Sequence, residues 1–286
     1  MIAHTRVAVI GAGTMGHGIA FVSALAGCRV SLTDVDPERL ANGARQIEAA
    51  FARAIERGKC TVAIRDSALG LLETCATPDE AASGADIVIE AVPERLELKQ
   101  CIFADIEPQV RPDTLLASNT SSLSITEIAT PLRRRERVLG MHFFNPVPAM
   151  RLLEVVRGEE TGDSQTKRAC DFATLLGKTP IVVRDTPGFA TSRLGVVLGL
   201  EAIRMLEQGV ASAEDIDRAM ELGYNHPMGP LRLTDVVGLD VRLAIAEHLH
   251  ATLGEATYRA PELLREKVAR GELGKKSGRG FYSWEK

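Results

Sequence analysis

The chain has 286 residues, of which 45% are hydrophobic and 25% are charged. This balance is typical of a globular chain with one large domain or two ordinary ones, and it excludes a disordered protein. The formal net charge of −4 provides no basic surface for nucleic acid, so we expect no nucleic-acid partner. An anionic small molecule would need cations that are placed locally.

Cysteine usage and the N-terminal residues indicate the compartment. Five cysteines occur without the CxxC spacing of a metal clip, which favours free thiols in a reducing environment and no metal site. MIAHTRVAVIGAG runs directly into a strand-like segment, so we expect no signal peptide. No apolar run reaches the roughly 18 residues of a membrane helix. The sequence therefore predicts a cytoplasmic protein without a membrane partner.

Strand-like and helix-like segments alternate over about the first 185 residues. The predicted strands are Arg6–Ile10, Arg29–Thr33, Asp86–Glu90, Thr114–Ala117, Arg137–Met141, Leu152–Val156 and Pro180–Val183. Longer stretches with helical periodicity lie between several of them, as at Pro37–Arg57 and Arg95–Ile106. Such alternation predicts crossover helices and a doubly wound, mostly parallel α/β sheet. The short spacing between the fifth and sixth strands suggests a hairpin or a sheet edge, and the basic run RRRER (133–137) is interpreted as a solvated helix end.

The pattern changes after DTPGF (185–189), where the β-branched runs give way to helical periodicity. The predicted helices are Leu194–Gln208, Ala213–Leu222, Leu231–Leu253 and Pro261–Ala269. Ser212 and Asp215 have the spacing of a capping box. We place a domain boundary near Asp185–Gly188, with an α/β domain at 1–187 and an all-helical domain at 188–286. A helical domain of this size has a modest core and leaves some apolar helix faces unburied. We therefore expect a homodimer whose interface is formed by this domain.

VAVIGAGTMGHGIA (7–20) places three glycines between an apolar strand and the start of a helix. A glycine-rich turn is the simple interpretation, but the strand, the helix and an acid after the next strand favour a dinucleotide site. Gly11 permits the tight turn, Gly13 lets the backbone approach a pyrophosphate, and Gly16 lets the helix pack on the strand. Thr14 and Met15 start the helix, whose N–H groups would face the negative charge. The first domain is thus predicted to be a Rossmann-type domain.

Asp34 follows the second predicted strand, where its carboxylate would accept hydrogen bonds from the adenosine ribose hydroxyls. No arginine is adjacent to accommodate a 2′-phosphate, and the carboxylate charge would repel one. NAD is therefore favoured over NADP as the cofactor.

A nicotinamide cofactor implies hydride transfer, and oxidising an alcohol then requires a base, for which histidine is suited by its ordinary pKa near neutrality. His142, in GMHFFNPVP (140–148), follows the C-terminal end of a strand, where doubly wound sheets bind their ligands. The other histidines fit terminal, helix-surface or turn positions: His4, His17, His226, His248 and His250. Two interpretations of His142 remain open, a general base or a core histidine packed with its phenylalanine neighbours, and its position favours the base.

The chain resembles the 3-hydroxyacyl-CoA dehydrogenases, and most closely the short bacterial 3-hydroxybutyryl-CoA dehydrogenases. The matching stretches run nearly end to end in the family's order: VAVIGAGTMGHGIA (7–20), ASNTSSLSI (117–125), GMHFFNPVP (140–148), LLEVV (152–156), DTPGF (185–189) and GKKSGRGFY (274–282). ASNTSSL together with HFFNPVP is a more specific combination than the glycine motif. The resemblance implies NAD as the cofactor and an acyl-CoA substrate.

The resemblance also implies a set of catalytic residues. His142 would take the proton of the substrate's 3-hydroxyl, and Glu154 would orient the imidazole. Ser121 would hydrogen-bond the substrate oxygen, although it could instead cap the helix that SITEIA begins, a role that Ser122 or Ser124 would serve as well. Ser192 stands where the family usually has an asparagine that bonds the substrate, and its shorter side chain changes both reach and geometry.

Further cofactor contacts are implied at Glu94, Lys99, Ser121, Asn145 and Lys276. Without the resemblance, Glu94 and Lys99 would be a charge pair on a helix surface, and Lys276 part of a solvated basic tail.

The function that the resemblance implies is interconversion of (S)-3-hydroxyacyl-CoA and 3-oxoacyl-CoA by hydride transfer to NAD, with a short acyl chain. One alternative is a related dehydrogenase of 3-hydroxyadipyl-CoA or of a gulonate-type sugar acid. Another is a dinucleotide-binding protein without turnover, which the departure at Ser192 supports and the intact Ser121, His142 and Glu154 oppose.

Overall fold

The computed structural model describes residues 5–284, so the interpretation of His4 lies outside the described residues. The chain divides into two compact units, one ending at Thr186 and the other beginning at Pro187. The first unit is an α/β sheet structure and the second is helical. No helix within residues 5–284 combines the length and the apolar character that crossing a bilayer requires.

One sheet forms the centre of the first unit. Among residues 5–284 its eight strands are β1 (Arg6–Ile10), β2 (Arg29–Thr33), β3 (Leu72–Cys75), β4 (Ile87–Glu90), β5 (Leu115–Ser118), β6 (Val138–Phe143), β7 (Leu152–Arg157) and β8 (Thr179–Arg184). Their order is β3-β2-β1-β4-β5-β6-β7-β8, and each neighbouring pair is parallel except the antiparallel pair β6 and β7. The predicted doubly wound, mostly parallel sheet is confirmed, and so is the hairpin.

Seven helices connect the strands of this unit within the described residues. They are α1 (Thr14–Leu25), α2 (Pro37–Glu56), α3 (Val62–Leu69), α4 (Pro78–Ala82), α5 (Leu96–Ile106), α6 (Ile125–Ala129) and α7 (Asp163–Leu175). Four of them begin at a residue whose side-chain oxygen accepts N–H groups of the first turn: Asp36 before α2, Thr61 before α3, Thr77 before α4 and Ser124 before α6.

The core buries apolar strand residues against helix residues. Val9, Leu32 and Ile89 of the sheet are fully buried in one cluster with Ile19 of α1 and Phe51 of α2. Burial of such side chains is the main favourable contribution to folding. Because parallel strands share a direction, the C-terminal ends of β1, β2, β4, β5 and β6 meet at one edge of this core, where doubly wound sheets bind ligands.

The second unit contains five helices within the described residues. They are α8 (Thr191–Glu207), α9 (Ala213–Gly223), α10 (Pro230–Val237), α11 (Leu239–Leu253) and α12 (Glu262–Ala269). The prediction of one helix over Leu231–Leu253 is wrong, because Gly238 adopts φ +105° and divides it into α10 and α11. The predicted capping at Ser212 is confirmed, since its hydroxyl accepts the Asp215 N–H at 3.1 Å.

The basic run at 133–137 differs from its interpretation as a solvated helix end. Residues Arg135–Arg137 form a single 3-10 turn, and the Arg137 side chain is buried. Its guanidinium donates to the carbonyl oxygen of Arg111 at 2.7 Å and to the carboxylate of Glu107 at 3.2 Å. The interpretation is therefore wrong for Arg137, which is an interior ion-pair partner.

Candidate active site

The glycine loop between β1 and α1 has the geometry that its spacing predicts. Gly11 adopts φ +102°, and a Cβ there would lie 2.8 Å from the carbonyl oxygen of Ala91. A Cβ on Gly16 would lie 1.7 Å from the carbonyl oxygen of Gly11, so no side chain fits where helix and loop cross. A Cβ on Gly13 would have no described atom within 4 Å. The loop is thus closed on its protein side and open where a ligand would approach.

The start of α1 offers backbone donors at this open side. Thr14 and Met15 form the first turn, and Gly13 before them provides no side chain to accept its N–H groups. Unsatisfied N–H groups at a helix start favour a negatively charged ligand. His17 is occupied within the helix, with Nδ1 2.8 Å from the carbonyl oxygen of Gly13.

Asp34 lies at the end of β2 and is held by the same loop. One carboxylate oxygen accepts the Ala12 N–H at 2.8 Å, and the other accepts the Asp36 N–H at 3.0 Å. A carboxylate has roughly four lone-pair sites, so both oxygens keep capacity for hydroxyl donors. The side chain is fixed in place and still able to accept.

A buried charge network begins at the end of β4. Glu90 is 0% exposed and accepts the Lys99 ammonium at 2.6 Å, the Ser118 hydroxyl at 2.7 Å and the Val92 N–H at 2.8 Å. Lys99 is 1% exposed and also lies 3.2 Å from the Glu94 carboxylate. Burial raises the pKa of Glu90. The charge of Lys99 and the hydrogen bonds act in the opposite direction but do not outweigh the burial. Lys99 is therefore an interior cation between two acids, so its interpretation as a helix-surface charge is wrong.

Glu94 connects this network to the loop that follows β5. One of its oxygens accepts the Thr120 hydroxyl at 2.6 Å, the Ser121 N–H at 2.8 Å and the Ser122 N–H at 3.1 Å. Burial would raise the pKa of Glu94, but the Lys99 charge and these donors outweigh it and lower the pKa. Ser124, not Ser121, caps α6 by accepting an N–H of its first turn. The alternative role of Ser121 as a helix cap is wrong, and its exposed hydroxyl lies 3.3 Å from Glu94.

His142 and Glu154 lie directly opposite each other on β6 and β7. The imidazole Nδ1 is 2.6 Å from a carboxylate oxygen of Glu154, whose side chain is fully buried. The Phe144 ring packs on the imidazole, with ring centroids 4.4 Å apart. A carboxylate at this distance accepts the Nδ1 proton, which leaves Nε2 as the basic nitrogen. The pair has the base-and-orienter arrangement of acid–base sites.

Sequence reasoning missed Glu90, Asn119 and Lys178. The side-chain oxygen of Asn119 accepts the Phe143 N–H at 3.0 Å, which ties the loop after β5 to the end of β6. Glu90 had a signal, as the one acid in the buried strand IVIE. Asn145, which was predicted, lies exposed in the connection after β6.

Two of the predicted site residues belong to the second unit. Ser192 lies in the first turn of α8, and Lys276 forms an ion pair with Asp240 at 2.6 Å. The segment GKKSGRGFY (274–282) folds onto α10, where the buried Asp235 accepts the Phe281 and Tyr282 N–H groups at 2.8 and 2.9 Å. Much of this motif therefore has a structural role.

Within residues 5–284, no group of three or more histidine, cysteine or acidic side chains could hold a metal ion.

Comparison with known proteins identifies the family. Residues 6–186 match the NAD binding domain of 3-hydroxyacyl-CoA dehydrogenase, and residues 188–284 match its C-terminal domain. The chain is 46% identical over 280 residues to the probable 3-hydroxybutyryl-CoA dehydrogenase of Bacillus subtilis, covering 98% of this chain and 97% of that protein. It is also 46% identical over 281 residues to the 3-hydroxybutyryl-CoA dehydrogenase of Mycobacterium tuberculosis, covering 98% of both. The crystal structure of (S)-3-hydroxybutyryl-CoA dehydrogenase from Ralstonia eutropha matches with a TM-score of 0.94 at 41% identity, covering 100% of both chains. The chain therefore belongs to the NAD-dependent 3-hydroxyacyl-CoA dehydrogenase family, as its motifs predicted.

Proposed function

We propose that this enzyme interconverts (S)-3-hydroxybutyryl-CoA and acetoacetyl-CoA, with NAD as the hydride carrier. The observation that carries the proposal is the buried contact between His142 and Glu154 at 2.6 Å. It lies in the unit that also carries the open glycine loop. The relatives named above support the short acyl chain, because their names specify the hydroxybutyryl substrate.

In this proposal His142 is the general base. Its Nε2 takes the proton of the 3-hydroxyl, while the carboxylate of Glu154 holds the Nδ1 proton and stabilises the imidazolium that forms. Bound NAD supplies the acceptor for the hydride that leaves C3 of the substrate. In the reverse direction the imidazolium returns its proton to the oxygen of the 3-oxo group.

The residues around the glycine loop fit a dinucleotide. We propose that Gly11, Gly13 and Gly16, with the N–H groups of Thr14 and Met15, bind the pyrophosphate. Asp34 would accept the ribose hydroxyls with the lone pairs that its backbone donors leave.

The remaining predicted residues divide between direct and indirect roles. Ser121 and Asn145 are exposed and would contact the substrate oxygen and the nicotinamide ribose. Lys99 is buried, so we propose that it acts on the cofactor through Glu94 rather than by its own contact.

In the second unit, the hydroxyl of Ser192 would take part of the role of the family asparagine. Lys276 would contact the cofactor with the N–H donors that its ion pair with Asp240 leaves.

The test is oxidation of NADH by purified protein with acetoacetyl-CoA or 3-oxoadipyl-CoA, and reduction of NAD with a gulonate-type sugar acid, each followed at the NADH absorbance band. We expect turnover with acetoacetyl-CoA to exceed that with either alternative. His142→Gln should lower kcat by about 100-fold or more, because general-base catalysis contributes that much. His248→Gln, an exposed histidine on α11, is the matched control. No turnover of acetoacetyl-CoA by the wild type would refute the proposal.

We further propose a cytoplasmic homodimer. All five cysteines are free, which suits a reducing compartment. The second unit exposes apolar side chains on α10 and α11, at Leu233, Val236, Val237 and Val241. An exposed apolar patch of this kind favours a protein interface.

A further inference from the structure

Residues 144–151, here termed the β6–β7 loop, carry the chain from His142 to Glu154. The loop also contains Asn145, the proposed ribose contact. The loop therefore affects how Glu154 is placed opposite the His142 imidazole, and it also places Asn145.

A lysine from another part of the unit holds this loop by its backbone. The ammonium of Lys178 donates to the carbonyl oxygens of Val147 and of Met150, the latter at 2.7 Å. The next residue, Thr179, donates its N–H to the carbonyl oxygen of Arg151 at 2.7 Å. The segment that joins α7 to β8 thus holds the part of the loop between Val147 and Arg151.

The opposite side of the loop packs on the helix that starts at the glycine motif. Val147 is buried against Gly18 of α1, where a Cβ would lie 2.9 Å from the valine Cβ. Val147 is therefore held twice: its carbonyl oxygen accepts from Lys178, and its side chain packs on α1.

Burying the Lys178 ammonium costs hydration energy, which indicates that its contact with the loop carbonyls has a functional role. The residue is 8% exposed, and no acidic side chain within residues 5–284 forms an ion pair with it. Burial lowers the pKa of its ammonium. A buried cation is costly unless hydrogen bonds compensate it, and the two loop carbonyls provide that compensation. Charge-assisted hydrogen bonds of this kind are about twice as strong as neutral ones.

We propose that Lys178 is a positioning residue that acts through the β6–β7 loop on the His142–Glu154 pair and on Asn145. It touches neither substrate nor cofactor. The proposal rests on the proposed function for its effect on turnover, while its effect on the loop is independent of any substrate.

The test compares Lys178→Met, which keeps the length of the side chain without donors, with Lys178→Gln, which keeps neutral N–H donors. Lys167→Met removes an exposed lysine of α7 that pairs with Asp171 and is the matched control. Loop order is measured by the rate of trypsin cleavage after Arg151, an exposed loop residue. We expect faster cleavage in the methionine variant, an intermediate rate in the glutamine variant and no change in the control.

Turnover gives the second measurement. We expect kcat with acetoacetyl-CoA and NADH to fall about tenfold or more in Lys178→Met, since small displacements of catalytic groups cost this much. In a His142→Gln background the same substitution should cause little further loss, because both act on one unit. A merely structural lysine would lower stability while the folded enzyme kept its wild-type kcat.

The outcomes separate the two proposals. Unchanged cleavage after Arg151 in both Lys178 variants would overturn the role of the lysine, and so would full kcat or an additive loss in the His142→Gln background. If the methionine variant does not fold, the glutamine variant carries the same comparison. Absence of turnover in the wild type would refute the proposed function and leave the cleavage measurement to decide the effect of Lys178 on the loop.

Discussion

His142 and Glu154 meet because they are paired across two antiparallel strands. Directly opposite residues project to the same face of a sheet with Cβ atoms about 5 Å apart. A one-residue slip between β6 and β7 would turn Glu154 to the other face. The register of this hairpin, more than the identity of either residue, therefore creates the acid–base pair.

Replacing Glu154 with glutamine tests the orienting role at this position. The amide has a similar shape, but it accepts more weakly and carries no charge to stabilise the imidazolium. We expect kcat with acetoacetyl-CoA and NADH to fall about 100-fold or more, with little change in KM. Glu159→Gln, an exposed acid just beyond β7, is the control. A Glu154→Gln enzyme with the kcat of the wild type would contradict the assignment.

At the residue scale, local spacing was predictable and long-range partners were not. The conformations of Gly11 and Gly16 follow from the motif, because each reflects a local crossing of strand, turn and helix. The burial of Lys99 does not, since a lysine in a charged helix pattern reads as a surface residue. Its partner Glu90 is nine residues away in a strand, and periodicity carries no signal that this strand end meets that helix face.

The network of Glu90, Lys99 and Glu94 joins three elements, β4, α5 and the loop after β5. Lys99→Met would leave the fully buried Glu90 without its cation and the partly exposed Glu94 without its ion-pair partner. Removing one partner from a buried ion pair costs about 3–5 kcal/mol, so we expect the free energy of unfolding in urea to fall by about that amount.

Two further measurements define the role of this network. Glu90→Gln combined with Lys99→Met should recover part of the lost stability, because one uncompensated charge is removed. Amide exchange at Ser121 and Ser122 should be faster in Lys99→Met, since Glu94 would no longer hold their N–H groups. A Lys99→Met protein as stable as the wild type would show that the ion pairs do not matter to the fold.

A second acid joins elements at the opposite end of α5. Glu107 accepts the Arg133 N–H at 2.9 Å, the Arg134 N–H at 3.1 Å and the Arg137 guanidinium at 3.2 Å. Burial would raise the pKa of Glu107, but these donors outweigh it and lower the pKa below its ordinary value of 4.5. The stability that this carboxylate contributes is therefore present above about pH 4.5 and is lost as the pH falls through the lowered folded-state pKa.

Glu107→Gln should remove this contribution. We expect the free energy of unfolding at pH 7 to fall by about 1–3 kcal/mol, the usual worth of hydrogen bonds to a charged group. The difference from the wild type should shrink as the pH is lowered below about 4.5, as measured by urea titrations across the acid range. Glu97→Gln, in the first turn of α5, is the comparison. A difference that stayed constant down to pH 3 would contradict the role of the charge.

At the scale of the whole chain, the order of elements was predictable from periodicity. Seven of the eight strands appear in the sequence pattern as apolar or β-branched runs. Six of them are largely buried, whereas β8 is partly exposed and was predicted from the β-branched residues of PIVV. The edge strand β3 was missed because LETC contains one β-branched residue beside an acid, and its two central residues are exposed. The break at Gly238 was missed because one glycine within an apolar periodicity is compatible with a continuous helix.

The second unit combines exposed apolar side chains with a buried arginine. Arg242 of α11 is buried, its Nε has no hydrogen-bond partner among the described residues, and burial lowers its pKa to about 10. Leu233, Val236 and Val237 lie on one face of α10 at helical spacing. A second copy of the chain would cover these side chains, and a stable interface of about 1,200–2,000 Å² would involve several helices.

Light scattering after size exclusion tests the proposed dimer. We expect the wild type to have about twice the chain mass of 30.8 kDa. Val236→Glu should shift it to the monomer, because a charge buried in an apolar interface has no partner to compensate its lost hydration. Val62→Glu, which changes an equally apolar and exposed residue on α3 of the first unit, should leave the mass unchanged. A wild type that is monomeric at all concentrations would refute the dimer, while a dimeric Val236→Glu variant would exclude this face of α10 as its interface.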